Sequence, residues 1–479
     1  MWQQREFAGI RVKFVKADIR HALSTHSVGN TYLTQTYDDR FCPALLVTGP
    51  ATGQGKTTVS AALARYHTRA GRTVRVFKCG QDFLDPMWLA LASDAPVHPL
   101  DLWVMGETEC RRCLWEAAGE ADLIIVEGVM GLFDGQPSSA DMAIVFSLPV
   151  VAVIDAWAMA QTFGAVALGL RRYNPQMPWC GVLANRVAGK GHATLLQQSL
   201  INADDWLGAL PNDSTISVQE RHLGLVPATE LSDPMAKLDR AADALAENIP
   251  GLCRISALRK WQVRFPAPAM VETVARLLEG RTVAVARDAA FCFLYDANIA
   301  ALKELGATVV FTSPLVDNCL PECDALWLPG GYPELYAKTL SKNMLFRDSV
   351  RQHVSSNKPV WAECGGMMCL FDTLETGNET SYRMWGVFTG KVIMQKTLAA
   401  LGPHEMPLAA GTLRGHTYHH SRCETPLVPA GFTRRGSDTD KAKGEAFFVV
   451  GNTRGSYFHA YFKSNLAAAA QLFKSGQIT

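Results

Sequence analysis

Two short runs hold the residue types best suited to chemistry. The first reads Leu45-Leu46-Val47-Thr48-Gly49-Pro50-Ala51-Thr52-Gly53-Gln54-Gly55-Lys56-Thr57-Thr58 and places a glycine-rich loop between an apolar strand and a helical pattern. Successive backbone N–H groups at such a turn, with the positive end of the next helix, hold phosphate. Lys56 would reach the β/γ oxygens and Thr57 a Mg²⁺ ion. Gly49, Gly53, Gly55, Lys56, Thr57 and Thr58 are the expected nucleotide-binding residues; five residues separate Gly49 from Gly55, one more than the common count. The second run, Val360-Trp361-Ala362-Glu363-Cys364-Gly365-Gly366, sets a thiol at a strand-to-helix turn. That geometry exposes a nucleophile, frees backbone N–H groups for an oxyanion, and lowers a thiol pKa through the helix N-terminus. Together the runs predict two jobs: spending ATP to activate one group and using a thiol to release another.

Further candidates fall at the ends of apolar runs, where open α/β sheets gather ligands. Lys78–Pro86 offers Asp82 and Asp85, three residues apart. Val126–Gly135 offers Glu127, suited to a second Mg²⁺ contact, and Asp134 in a glycine-rich turn. Each acid reads either as a ligand or as a solvated loop charge or helix cap. A nucleophilic thiol wants a histidine base. His459, in a strand-like segment, is the first choice, with His416, His419 and His420 as rivals. Gly330, Gly331 and Gly365 are the oxyanion candidates, and Cys369 reads as core.

These residues need a scaffold with several parallel strands. Ala44–Thr48, Thr73–Lys78, Asp122–Glu127, Pro149–Ile154 and Cys180–Asn185 read as buried strands alternating with helical patterns such as Thr57–Ala70. The rhythm falters between residues 230 and 280, resumes at Thr282–Arg287, Ala307–Thr312, Ala325–Leu328 and Pro359–Ala362, and looks more antiparallel beyond Met384. The expected fold class is α/β in two domains, as 479 residues exceed one ordinary core. Boundaries are expected at 1–43 (a poorly ordered extension), 44–240, 241–280 (a linker) and 281–479. Lys plus Arg (46) balances Asp plus Glu (45), which argues against nucleic acid or anionic membrane as partner. No apolar run is long enough to span a bilayer. Cys110-x-x-Cys113 and Cys319-x-x-x-Cys323 lack a second ligand pair at zinc-finger spacing, so scattered reduced thiols and a cytoplasmic setting are expected.

From about Ala44 to its end the chain resembles the cobyrinate a,c-diamide synthase family, including the hydrogenobyrinate enzymes. Collinear matches are the phosphate loop, Lys78–Pro86, Val126–Gly135, Gly181–Val187, Glu220–Pro227, Arg287–Phe291, Gly330–Glu334, Ala362–Gly366, Arg414–His416 and Ser456–His459. The resemblance implies a dethiobiotin-synthetase-like ATPase and corrin-binding domain at 44–240, fused to a class I, triad-type glutamine amidotransferase domain at 281–479. It implies ATP, with Mg²⁺ as cofactor, glutamine, and cobyrinate or hydrogenobyrinate as small-molecule partners. A homodimer is a further expectation.

By the same resemblance Cys364 attacks glutamine and His459 moves the proton, while Thr57 and Glu127 hold the metal. Asp82 and Asp85 line the site where a corrin acetate meets the γ-phosphate. An acyl phosphate forms and ammonia, delivered along a shielded path, displaces phosphate at a and at c. Some positions depart from the pattern: Gln81 stands where proline is common, Met87-Trp88 follow Asp85-Pro86 where smaller residues often appear, and Tyr461 stands where many class I amidotransferases complete a triad with glutamate. The last implies a Cys364–His459 dyad. A cobyric acid synthase-type amidase is the nearest alternative, against which the Lys78–Pro86 run argues. A P-loop switch ATPase is another; it would carry an early second lysine where this chain has Pro50-Ala51-Thr52.

Overall fold

The computed structural model describes residues 38–217, 220–221, 224–225, 233–268, 274–377, 380–436 and 444–476. The first 37 residues of the expected extension and half of Glu220–Pro227 lie outside this set.

Seven parallel strands form the first sheet: β1 (Arg40–Thr48), β2 (Val74–Cys79), β3 (His98–Leu100), β4 (Leu123–Glu127), β5 (Val150–Asp155), β6 (Trp179–Val187) and β7 (Trp206–Pro211). They stand in the order β3-β2-β4-β1-β5-β6-β7. The crossovers carry α1 (Lys56–Arg69), α2 (Asp85–Ser93), α3 (Glu107–Ala118), α4 (Ser139–Phe146), α5 (Thr162–Tyr173) and α6 (Lys190–Gln198). Strand side chains alternate between faces, so Ala44 and Leu46 join one core cluster while Leu45 and Val47 join the other. A sheet buried on both faces explains why β4 reads as an unbroken apolar run up to Glu127. Chain order reverses around β1, which brings the ends of β2, β4 and β1 together on one edge.

The strand at the front starts earlier than the sequence suggests. Arg40–Pro43 pair antiparallel with Gln262–Phe265, which extends β1 back from Ala44 into the expected extension. The expected linker at 241–280 is likewise occupied in part. Helix α7 (Pro234–Asn248) packs along α1 through Arg65–Asp239 at 2.6 Å and Leu238, Ala241 and Leu245, so residues up to Phe265 belong to the first half. Pro234 and Pro250 mark helix starts rather than a loose connection, since proline suits the first helical turn.

The second half contains a seven-stranded sheet in the order Thr308–Thr312, Thr282–Ala286, Ala325–Leu328, Val360–Glu363, Thr453–Ser456, Ala446–Val450 and Gly431–Phe432; the first five run parallel. A long antiparallel hairpin, Ala400–Leu408 with Gly411–His419, pairs in turn with Phe458–Tyr461. The halves share hydrophobic contact: Tyr295, Ala297 and Tyr461 lie in the same core cluster as one face of the first sheet. Among the described residues no helix is long and apolar enough to cross a membrane.

Candidate active site

The phosphate loop has the shape its glycines predict. Gly53 (φ 80°) and Gly55 (φ 91°) take left-handed conformations, and a Cβ on Gly55 would lie 2.1 Å from the Asn185 amide nitrogen. Gly49 closes against β5, where a Cβ would meet the Val153 carbonyl at 2.4 Å. Lys56 opens α1 and its Nζ donates to the carbonyls of Ala51 (2.8 Å) and Met130 (2.7 Å), arching over the loop where phosphate oxygens would lie. Thr58 is buried in the same helical turn.

Thr57 donates from Oγ1 to Glu127 Oε1 at 2.7 Å. The second oxygen of Glu127 is buried and without a hydrogen-bond partner. A hydroxyl and a carboxylate, one oxygen of which is unsatisfied, at the rim of a phosphate loop form a hard-oxygen donor set that fits Mg²⁺.

Lys78, quoted in the sequence run but given no role there, links the acids. It is the next-to-last residue of β2, paired with Glu127 at the end of β4, and its Nζ donates to Asp85, to Glu127 Oε1 at 2.8 Å and to the Gly128 carbonyl at 3.4 Å. Burial opposes its charge, yet Asp85 and Glu127 outweigh burial and hold Lys78 well above its ordinary pKa. Burial also opposes ionisation of Asp85, but Lys78 overrides it and the carboxyl stays below its usual range. Burial raises Glu127 to about 7, against the pull of Lys78. Asp82, pushed to about 6 by burial and by Asp85, accepts from the backbone N–H of Leu84 (2.7 Å) and Asp85 (3.2 Å). Asp134 instead caps its own turn, accepting from Gly131 N at 2.8 Å.

Cys364 sits at the expected turn, between the strand Val360–Glu363 and the helix Gly365–Leu370, with φ 45° and ψ −110°. For a residue with a side chain this is a strained conformation. A Cβ on Gly365 would lie 3.0 Å from both N and O of Gly331, so these two oxyanion candidates face each other across the turn. Gly330 lies under the base: a Cβ there would meet His459 Cε1 at 2.3 Å.

One expectation at this turn needs correction. The helix N-terminus does not set the thiol pKa: burial pushes it up, the nearby Glu334 carboxyl adds to the rise, and the lowering by the Gly365 N–H is outweighed. His459 is not hydrogen-bonded to the thiol, whose Sγ faces the Tyr418 carbonyl at 3.9 Å. The physical reason is shared, because both groups are buried. Burial and the neighbouring His416 hold His459 well below the usual histidine pKa. Of the rivals, His416 stacks on His459 at 4.9 Å. His419 has both ring nitrogens engaged, by the Ser421 carbonyl (2.8 Å) and Glu445 (3.2 Å). His420 is half-buried, beside Tyr418.

Phe83, on the loop between Asp82 and Asp85, joins the two centres. Its ring lies 5.3 Å from His459, 4.8 Å from Phe293, 4.5 Å from Tyr295 and 5.6 Å from His416. The same residue lines a cavity of about 670 Å³ between the halves, with Lys78 and Asp82 from the first half and Arg287, Tyr295 and Tyr332 from the second. Phe83 therefore separates His459 from the space above the acids. No spacing in the sequence signals this, since its partners are far away in the chain; Lys78, by contrast, was detectable as a lysine ending an apolar strand.

The same two halves appear in known families. Residues 45–226 match the CobQ/CobB/MinD/ParA nucleotide binding domain, and residues 282–467 the CobB/CobQ-like glutamine amidotransferase domain. The chain is 52% identical over 435 residues to the hydrogenobyrinate a,c-diamide synthase of Stutzerimonas stutzeri, covering 91% of this chain and 99% of that one. It is 50% identical to the hydrogenobyrinate a,c-diamide synthase of Pseudomonas aeruginosa (90% and 97% covered). Against the cobyrinate a,c-diamide synthase of Herminiimonas arsenicoxydans it is 45% identical (90% and 96% covered).

Proposed function

The chain belongs to the cobyrinate a,c-diamide synthase family, and on that premise we propose that it amidates the a and c acetate groups of hydrogenobyrinate or cobyrinate, in cobalamin biosynthesis, with ATP and glutamine. The observation that carries this reading is the placement of Lys78, Asp82 and Asp85 between a phosphate loop and a cavity shared with the amidotransferase half.

Carboxylate is a poor electrophile, and phosphorylation turns one oxygen into a leaving group. Lys56 and the loop N–H groups bind the ATP phosphates and orient the γ-phosphoryl toward the cavity. Thr57 and Glu127 would hold Mg²⁺, which when bound adds positive charge beside the phosphates. Lys78 stabilises the negative charge that gathers as the acetate oxygen attacks, and Asp85 and Glu127 hold the lysine in position; Asp82 lines the cavity beside it. The apolar walls of the cavity suit the macrocycle, and Arg287 offers a cation to a peripheral carboxylate. At the other centre Cys364 forms a glutamyl thioester and releases ammonia, with Gly331 and Gly365 N–H groups facing the oxyanion. Ammonia passes the Phe83 partition and displaces phosphate.

The test is mass spectrometry of product after incubating purified protein with ATP, Mg²⁺, glutamine and either ring. Conversion of one ring to its diamide is the expected result. Turnover of ATP with no amide on either ring would overturn the reading.

A further inference from the structure

We infer that Glu363 is the positioning carboxylate of His459, filling the place of the acid that the chain lacks two residues beyond that histidine. The inference rests on the roles proposed above for Cys364 and His459. Position 461 carries a tyrosine whose ring turns toward the first half, packing edge-on to Tyr295 at 6.0 Å within the cluster that covers the first sheet. It supplies no carboxylate.

Inside the pocket, His459 Nδ1 is buried and without a hydrogen-bond partner. Glu363 Oε2 lies 3.9 Å from it, and neither side chain is more than 2% exposed. Glu363 is anchored independently of the histidine: its Oε1 accepts from Trp361 Nε1 at 2.6 Å and from Ala460 N at 3.4 Å. One oxygen is thus fixed by donors on two strands, and the other faces the ring. A shift of about 1 Å brings Nδ1 and Oε2 into ordinary hydrogen-bond range, the kind of tightening that substrate binding produces in catalytic pockets. A second histidine–carboxylate pair among the described residues of this half, His419 with Glu445, has no free ring nitrogen left to take a proton.

With Nδ1–H bonded to Glu363, the lone pair of His459 is on Nε2. That nitrogen takes the proton from Cys364 Sγ as sulfur bonds to the glutamine amide carbon. The C–N bond then breaks, the nitrogen collects the proton from Nε2 and leaves as ammonia, and water later hydrolyses the thioester to glutamate and thiol. Burial pushes the Glu363 carboxyl up to about 8, and the form that acts is the ionised one, which offsets the imidazolium as a triad acid does.

Glu363→Gln keeps the volume and the acceptor for Trp361 while removing the charge. Glutamate release, measured with and without ring and ATP, should fall at least about 100-fold in kcat with KM for glutamine within about threefold. Amidation supported by ammonium chloride should persist and serves as the check on folding. Glu363→Asp, which keeps the charge, should recover part of the loss. A Glu363→Gln enzyme that releases glutamate within about threefold of the wild-type rate would overturn the assignment. If wild-type protein releases glutamate but amidates neither ring, the substrate reading fails while the Glu363 comparison still stands on glutamate release.

Discussion

Around Lys78 the protein buries charge and balances it: one ammonium faces Asp85 and Glu127, with Asp82 beside them. Around His459 it buries titratable groups and keeps them uncharged, with rings of Phe83, Phe293 and His416 in the place of water. The first centre is therefore set before any ligand arrives. The second has a protonated thiol and a neutral imidazole, and it gains charge only when glutamine gives the thiol a carbon to attack. An activating centre must hold a fixed field for a phosphoryl group. A centre that makes a diffusible base is better kept idle until its partner is loaded.

Four substitutions would sharpen or break that contrast. Cys364→Ala should have the largest effect, lowering glutamine-supported amidation by about 10³-fold or more while ammonium-supported amidation persists, as read by mass spectrometry. Lys78→Met should remove amidation from both nitrogen sources and leave Asp85 and Glu127 facing each other. Loss of one partner of a buried pair costs about 3–5 kcal/mol, measurable by urea denaturation. An unchanged midpoint would mean that the acid cluster is not held by charge. The strained turn offers a smaller effect: Cys364→Gly should be more stable than Cys364→Ala by about 1–3 kcal/mol, because glycine accepts positive φ. Equal stability would remove the claim of strain. Phe83→Ala should act least, raising glutamate released per amide formed by about threefold through loss of the partition, an effect worth about 0.7 kcal/mol. A ratio still at the wild-type value would show that the ring does not keep the centres apart.

Much of this molecule can be read from the chain alone. The strands predicted at Asp122–Glu127 and Pro149–Ile154 form within one residue of their expected ends, because a doubly covered parallel sheet demands continuous apolar runs. The phosphate loop and the thiol turn were legible for a similar reason: glycine spacing is a backbone requirement, and backbone requirements are local. What escaped was non-local. The strand Gln262–Phe265 completes β1 across more than two hundred residues, so with Pro266 and Pro268 just after it the segment reads as linker. Glu363 was visible as an acid ending a buried strand, but its partner lies near the other end of that half. The pocket around His459 has the same origin, since the rings of Phe83, Phe293 and His416 come from three separate segments.

Phe83 has one more consequence. A residue of the ATP-handling half forms part of the wall around the glutamine-handling histidine, so neither half is a self-contained module. If the chain were divided at the connection after Phe265, the amidotransferase fragment would carry an apolar notch where that ring belongs, open to water and ready to protonate any ammonia made there. Changes at position 83 are thus judged against residues that lie more than two hundred places further along, and the two halves are bound to drift through sequence together.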